Sequence, residues 1–216
     1  MIQKNINLNI TQVLIAYSNG YFPMGKVKNK PEVEWVLPND RGIIPVGKVH
    51  CSKSLKKIIK KNKFSISFNK NFNEVIKNCA NREKTWINST IYDLFITLHQ
   101  MGFAHSVEVS RNKDLVGGLY GLTLGSVFFA ESMFSFFPNS SKLALIAIMA
   151  KVNYGGFKVF DTQFPSKHLN TLGGTTISKE EFEQKLHYTN DNSADFNRRP
   201  KLKNWDEFLK YGTCNK

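Results

Sequence analysis

Ser106-Val107-Glu108-Val109-Ser110, Leu115-Val116-Gly117-Gly118-Leu119-Tyr120-Gly121-Leu122 and Ser126-Val127-Phe128-Phe129-Ala130 are three strand-like runs that follow one another closely. Asn112-Lys113-Asp114 and Leu124-Gly125 supply turns between them. Connections this short leave room only for antiparallel neighbours, because a parallel pair needs a crossover of a dozen residues or more. Residues 141–154 follow with Leu145, Ile148 and Val152 on one helical face, and Lys158–Asp161 reads as a further strand. Thr176–His187 begins as a strand-like turn and continues as a helix, with Ser178 and Glu181 spaced as a capping box.

On the N-terminal side, residues 88–101 place Ile91, Leu94, Phe95 and Leu98 on one helix face, and a helix is expected around 72–80. Phe64-Ser65-Ile66-Ser67-Phe68 alternates as a half-buried strand does. A helix from Ser54 carries Leu55, Ile58 and Ile59 on one face, with Lys56, Lys57, Lys60 and Lys61 in a separate stripe. Residues 8–17 are expected to be a short amphipathic helix capped by Thr11, with Gly20 ending it and Phe22-Pro23 opening a loop. Trp35–Pro38 is a candidate short strand, and residues after 190 are expected to be an irregular polar tail. The pattern predicts an α+β chain: a small N-terminal domain over 1–50, a larger domain over 51–190 and a tail over 191–216.

The chain has 216 residues, a net charge of +13 and a hydrophobic share of 41%, enough for an ordinary core. Seventeen Phe and three Trp make that core, or a pocket within it, rich in rings. The positive balance favours a polyanionic partner, and nucleic acid is the first expectation because part of the charge is ordered along a helix. No run is long enough to span a bilayer, and the first twenty residues lack a signal-peptide layout, so a cytoplasmic protein that avoids membranes is expected. Cys51, Cys79 and Cys214 are isolated, so neither a disulfide framework nor a metal site is expected.

Several segments together resemble the leucyl/phenylalanyl-tRNA–protein transferases. They are Ala16-Tyr17-x-x-Gly20-x-Phe22-Pro23, Trp35-x-x-Pro38 with Arg41 after it, Thr85-Trp86-Ile87, and Ala104-His105-Ser106-Val107-Glu108. Leu115 to Gly121, Glu131-Ser132-Met133-Phe134-Ser135, Ser141-Lys142 and Asp161-x-Gln163 complete the set, in the family's order over roughly residues 12–187. The resemblance implies a GNAT-like (N-acyltransferase-type) C-terminal domain behind a smaller N-terminal one, no cofactor and no metal, and a monomer is the default expectation. It implies an aminoacyltransferase that moves Leu, and also Phe or Met, from aminoacyl-tRNA to proteins beginning with Arg or Lys, marking them for degradation. Some positions depart from the family pattern: Met24 stands where some relatives have Trp, Ala130 where Gly is usual, Thr162 where Cys is common and Ser166 where some have Asn.

By the same resemblance, Asp161 and Gln163 are the catalytic pair, with Glu131 available to meet a cationic acceptor side chain or to hold a loop. Leu119, Phe128, Leu145, Ile148 and Phe160 are the expected lining of the donor side-chain pocket, though each could equally be plain core. Trp86 and Met24 match positions that pack on the terminal adenosine, and Lys53, Lys57, Lys60 and Lys61 match a cluster that contacts the tRNA acceptor stem. The chemistry is consistent with that assignment. An aminoacyl ester is already activated, and an α-amine with a pKa near 8 is partly neutral at pH 7, so no strong base is needed. A Gln amide is a very poor base, and its useful part is to accept a hydrogen bond from the amine and aim it. His105 and His168 are expected to be structural, and Ser132 and Ser135 lack the elbow of a serine hydrolase. Two alternatives stand beside this reading: an acetyl-CoA-dependent acetyltransferase, against which the missing pyrophosphate loop counts, and a non-catalytic RNA-binding module.

Overall fold

The computed structural model describes residues 9–27, 30–61, 63–189 and 193–214. In chain order the N-terminal part contains α1 (Ile10–Ser18), β1 (Phe22–Gly25), β2 (Val33–Val36) and β3 (Asp40–Ile43). Next come α2 (Lys53–Lys60), β4 (Ser65–Phe68), α3 (Phe72–Ala80) and α4 (Ser89–Gln100). The long strands β5 (Ala104–Arg111), β6 (Asp114–Leu124) and β7 (Val127–Ser135) follow, then α5 (Ser140–Tyr154) and β8 (Val159–Gln163). The chain ends with α6 (Lys167–Thr171), β9 (Thr175–Ser178), α7 (Lys179–Tyr188) and α8 (Trp205–Gly212).

Seven strands form one sheet in the order β4-β5-β6-β7-β8-β3-β9, and β1 and β2 form a separate antiparallel hairpin. Every neighbour pair in the large sheet is antiparallel except β7 and β8, which α5 connects as a crossover. The architecture is mixed α/β, with a buried apolar cluster on each side of the sheet. On one side lie α2, α5 and α8; on the other lie α1, α3, α4 and α7. α5 is buried nearly all round, because the sheet covers one face and α8 the other.

Four expectations change. Phe22-Pro23, expected to open a loop, begin strand β1, because β2 stands beside them as a partner. The tail after residue 190 is not irregular throughout: α8 is capped by Asn204, which accepts from the Glu207 amide, and Trp205 Nε1 donates to the Phe64 carbonyl at 3.1 Å. Eight residues in a polar context are too few for periodicity to reveal, and Trp205 and Phe208 become core only when α5 is beside them. Residues 40–43, inside the expected N-terminal domain, are β3, a strand of the large sheet, and Val13 and Tyr17 of α1 share a core cluster with α3 and α4. A boundary at residue 50 would therefore cut through one core. α1 is capped by Asn9, whose side chain accepts from the Thr11 amide, rather than by Thr11 itself.

Candidate active site

The parallel pair β7–β8 is joined only over Val127↔Val159, Phe128↔Phe160 and Phe129↔Asp161. Beyond Phe129 the two strands part, and Glu131 and Gln163 lie in that fork. Two irregularities aim their side chains. Between β6 and β7 the register passes from Gly121↔Ala130 to Tyr120↔Ser132, so Glu131 is the extra residue of a bulge. Between β3 and β8 it passes from Ile43↔Asp161 to Gly42↔Gln163, with Thr162 as the extra residue and Gln163 at φ 59. A Cβ on Gly42 would meet Thr162 Oγ1 at 2.7 Å and the Phe164 backbone at 2.8 Å, so the kink requires glycine opposite it.

The polar groups gathered there are all buried. Arg41 grips Asp161 with two parallel bonds, Nε to Oδ1 at 2.8 Å and Nη2 to Oδ2 at 2.6 Å, and Nη1 donates to the Gly20 carbonyl at 2.9 Å. The guanidinium also packs over the rings of Phe182 and Phe22, at 4.3 and 5.0 Å from their centroids. Asp161 Oδ1 accepts the Gln163 backbone N–H at 3.0 Å, which holds the left-handed turn at that residue. Gln163 Nε2 donates to Glu131 Oε1 at 3.0 Å, and the Tyr17 hydroxyl donates to the same oxygen at 2.9 Å. Burial pushes the Glu131 carboxyl up to about 8; nearby Asp161 adds to the rise, while the Tyr17 hydrogen bond, Arg41 and Gln163 pull against it. Burial foremost, and then Glu131, pushes the Tyr17 phenol well above its ordinary value, so it stays a donor at neutral pH.

Beside this network is a cavity of about 120 Å³. Its apolar lining is Leu119, Ala130, Met133, Leu145, Phe160 and Leu169, and its polar rim is Glu131, Ser132, Thr162 and Gln163. An apolar cavity of about 150 Å³ accepts a benzene ring, so this one has the scale of a single amino-acid side chain. Three of the five expected pocket residues, Leu119, Leu145 and Phe160, line it. Phe128 and Ile148 do not: both are fully buried, and Phe128 stacks against Phe160 at 5.2 Å, backing the wall from behind. Met133 and Leu169 complete the lining and carried no expectation. Tyr17 and Arg41 are the other two that sequence reasoning left without a role, although both fall in the motifs Ala16-Tyr17-x-x-Gly20 and Trp35-x-x-Pro38-x-x-Arg41.

Met24 and Trp86 are half-buried neighbours, because the Gly25 amide donates to the Trp86 carbonyl at 2.9 Å. Lys53, Lys57 and Lys60 are exposed on α2 and Lys61 is exposed at its C-cap; Leu55 and Ile59 of that helix are buried, and Ser52 caps its start. His105 is held in the core by stacking on Phe196 at 3.9 Å, and burial lowers its pKa to about 3. Among the described residues no group of His, Cys, Asp and Glu is placed to hold a metal ion, and no helix is long and apolar enough to cross a membrane.

A side-chain-sized apolar cavity that opens onto a fixed amide and a buried carboxylate suits an enzyme that seats an apolar acyl group and aims an amine at it, an aminoacyltransferase. The comparisons agree, for the chain belongs to the leucyl/phenylalanyl-tRNA–protein transferase family, whose model matches residues 43–187. Relatives of that name include those of Ruegeria sp. (strain TM1040), 44% identical over 88% of this chain and 91% of its own length, and Dinoroseobacter shibae, 41% identical over 87% and 84%. The relative from Maricaulis maris (strain MCS10) is 40% identical over 88% of this chain and 89% of its own length. Among solved structures, FemX aligns over 85% of this chain and 72% of its own with a TM-score of 0.49 and 13% identity.

Proposed function

We propose that the protein moves leucine, and also phenylalanine or methionine, from aminoacyl-tRNA to the N-terminal α-amine of proteins that begin with Arg or Lys, producing an N-terminus that marks them for degradation. The observation that carries this reading is the cavity lined by Leu119, Leu145 and Phe160 and rimmed by Gln163 and Glu131. The acyl side chain fills the cavity, which brings its ester carbon to the rim. Glu131 Oε1 is the acceptor for both the Tyr17 hydroxyl and Gln163 Nε2, and the planar amide, with Nε2 turned towards that oxygen, turns its own Oε1 away from it. That amide oxygen accepts an N–H of the incoming amine and aims the nitrogen lone pair at the ester carbon. The C–N bond forms, the bond to the ribose oxygen of the tRNA breaks, and the amine's proton ends on that departing oxygen. Rate enhancement comes chiefly from positioning, which can supply several orders of magnitude.

The rest of the surface fits the same substrate. Met24 and Trp86 offer a soft sulfur and a ring to the terminal adenosine, and each base stacked on a ring is worth about 1–3 kcal/mol. The lysines on α2 contact acceptor-stem phosphates as point charges. Glu131, with one oxygen unpartnered among the described residues, receives the cationic side chain of the acceptor. The lobe from α2 onward is read as GNAT-like, and the protein as a monomer. The test is transfer of leucine from charged tRNA to a peptide beginning with Arg or Lys, with leucylated peptide as the expected product. Folded protein that binds charged tRNA but forms no product would overturn the reading in favour of an RNA-binding module, and acetylation of the peptide from acetyl-CoA would overturn it in favour of an acetyltransferase.

A further inference from the structure

Glu131 is held in an unusual way. It stands on a bulge without a cross-strand partner, and among the described residues it has no bonded cation, since the guanidinium of Arg41 is committed to Asp161 and Gly20. Its Oε1 accepts two neutral donors, the Tyr17 hydroxyl at 2.9 Å and Gln163 Nε2 at 3.0 Å, while Oε2 is buried with no partner among the described residues. The groups that act on this carboxyl come from four elements: Tyr17 on α1, Arg41 on β3, Tyr120 on β6, and Asp161 and Gln163 on β8. Of these, Tyr17 is the one that stands on a helix.

The ring of Tyr17 is fully buried, edge-on to Phe129 at 5.0 Å. A phenylalanine would fill that space equally well, so core packing gives no reason for the hydroxyl. Among the described residues its hydrogen-bond partner is Glu131. We propose that Tyr17 is a positioning residue for the transfer reaction: its phenol holds Glu131 by Oε1, and Glu131 so held fixes the amide of Gln163 and keeps Oε2 for the substrate. This inference rests on the function proposed above. The phenol has one proton and keeps it, so Glu131 must be the acceptor in this bond. Two donors crowd Oε1, and any proton that the carboxyl takes up or gives away must therefore sit on Oε2. The motif Ala16-Tyr17-x-x-Gly20-x-Phe22 then has a common purpose: Tyr17 bonds Glu131, the Gly20 carbonyl accepts from Arg41, and the Phe22 ring packs against the same guanidinium.

The experiment measures kcat/KM against pH for the full chain, with leucyl-tRNA and a single Arg-initiated peptide. The peptide's own amine titrates identically with every variant, so any displacement belongs to the enzyme. Tyr17→Phe removes a donor that favours the ionised carboxylate. The rising limb is expected to move up by about one pH unit, the scale of one hydrogen bond to a charged acceptor, with KM for tRNA unchanged. Activity at pH 7 then falls about tenfold and recovers towards the alkaline end. A fluorinated tyrosine at position 17 is a stronger donor of the same shape, and it is expected to move the limb the other way even if Tyr17→Phe folds poorly. A profile that is lowered uniformly, or that superposes on the wild type, overturns the proposal. If wild-type protein itself transfers nothing, the functional reading has failed; if wild type transfers and both variants leave the limb in place, only the role of Tyr17 has.

Discussion

The fork between β7 and β8 and the lysine face of α2 both concentrate charge, in opposite environments. In the fork, Arg41, Asp161 and Glu131 are 1%, 0% and 7% exposed, and each polar group depends on another's geometry. On α2 and its C-cap, Lys53, Lys57, Lys60 and Lys61 stand in solvent, and water screens them from one another. Charges in the first region are coupled and positional, so removing one disturbs the others. Charges in the second are additive and interchangeable, so removing one subtracts a small share. A selective chemical step needs the first kind of region; grip on a phosphate backbone needs only the second.

The largest effect is expected where the coupling is tightest. Asp161→Asn strands the buried guanidinium of Arg41 and weakens the acceptor of the Gln163 amide. Breaking a buried ion pair from one side destabilises by about 3–5 kcal/mol, which denaturant titration would read directly. Transfer should fall by about a hundredfold or more, since small displacements of aiming groups have effects of that size. Replacing both partners, as in Arg41→Met with Asp161→Leu, should restore most of the stability but not the transfer. Equal recovery of both would show that the pair only holds the fold together.

Glu131 gives a second, smaller test. Its carboxyl is raised from 4.5 in the unfolded chain to about 8 in the folded one. The folded state therefore binds the proton more tightly, and wild-type stability declines as pH rises from about 4.5 to about 8, levelling above that. Glu131→Gln retains an oxygen for Tyr17 and Gln163 but has nothing to ionise. Its stability relative to wild type should grow across that window by up to a few kcal/mol, while leucyl transfer falls. Thermal unfolding at pH 5, 7 and 9 would show it. A difference that does not change with pH would mean that the carboxyl titrates normally.

The same contrast explains what the sequence discloses. The long strands β5 to β7 and the amphipathic helices announce themselves, because each carries its pattern within ten or so residues. The lysine face of α2 is equally plain, since it is local and its burial follows from helix geometry. The fork is not local. Tyr17 and Glu131 lie 114 positions apart and Arg41 and Asp161 lie 120 apart, so no spacing rule joins them. β1 and β3 are four residues each and contain Pro or Gly, which reads as loop until a partner strand is beside them. Phe128 and Ile148 show the converse limit: an apolar residue looks the same in sequence whether it faces a cavity or the core behind it.

The cavity beside the fork should show effects of intermediate size. Leu145→Ala enlarges a wall formed by Leu119, Leu145 and Phe160. One methylene in a hydrophobic pocket discriminates by only about 1–3 kcal/mol, so the expected result is a shift in the ratio of kcat/KM for phenylalanyl over leucyl donors of about tenfold in favour of the larger ring. An unchanged ratio would place the donor side chain elsewhere.

The smallest effect is expected on α2. Lys57→Ala deletes one exposed charge from a helix whose core residues Leu55 and Ile59 are untouched, so folding stability should stay within about 0.5 kcal/mol of wild type. If the side chain neutralises one acceptor-stem phosphate, affinity for charged tRNA should drop only a few-fold at moderate salt, and the slope of log K against log salt should become shallower by about one. Extending the change to Lys53, Lys60 and Lys61 should lower the slope in proportion, with kcat at saturating tRNA unaltered. Proportionality is the decisive outcome, because it distinguishes independent phosphate contacts from a coupled site. A single substitution that abolished binding, or four that left the slope unchanged, would remove the helix from the RNA interface and with it the contrast between the two charged regions.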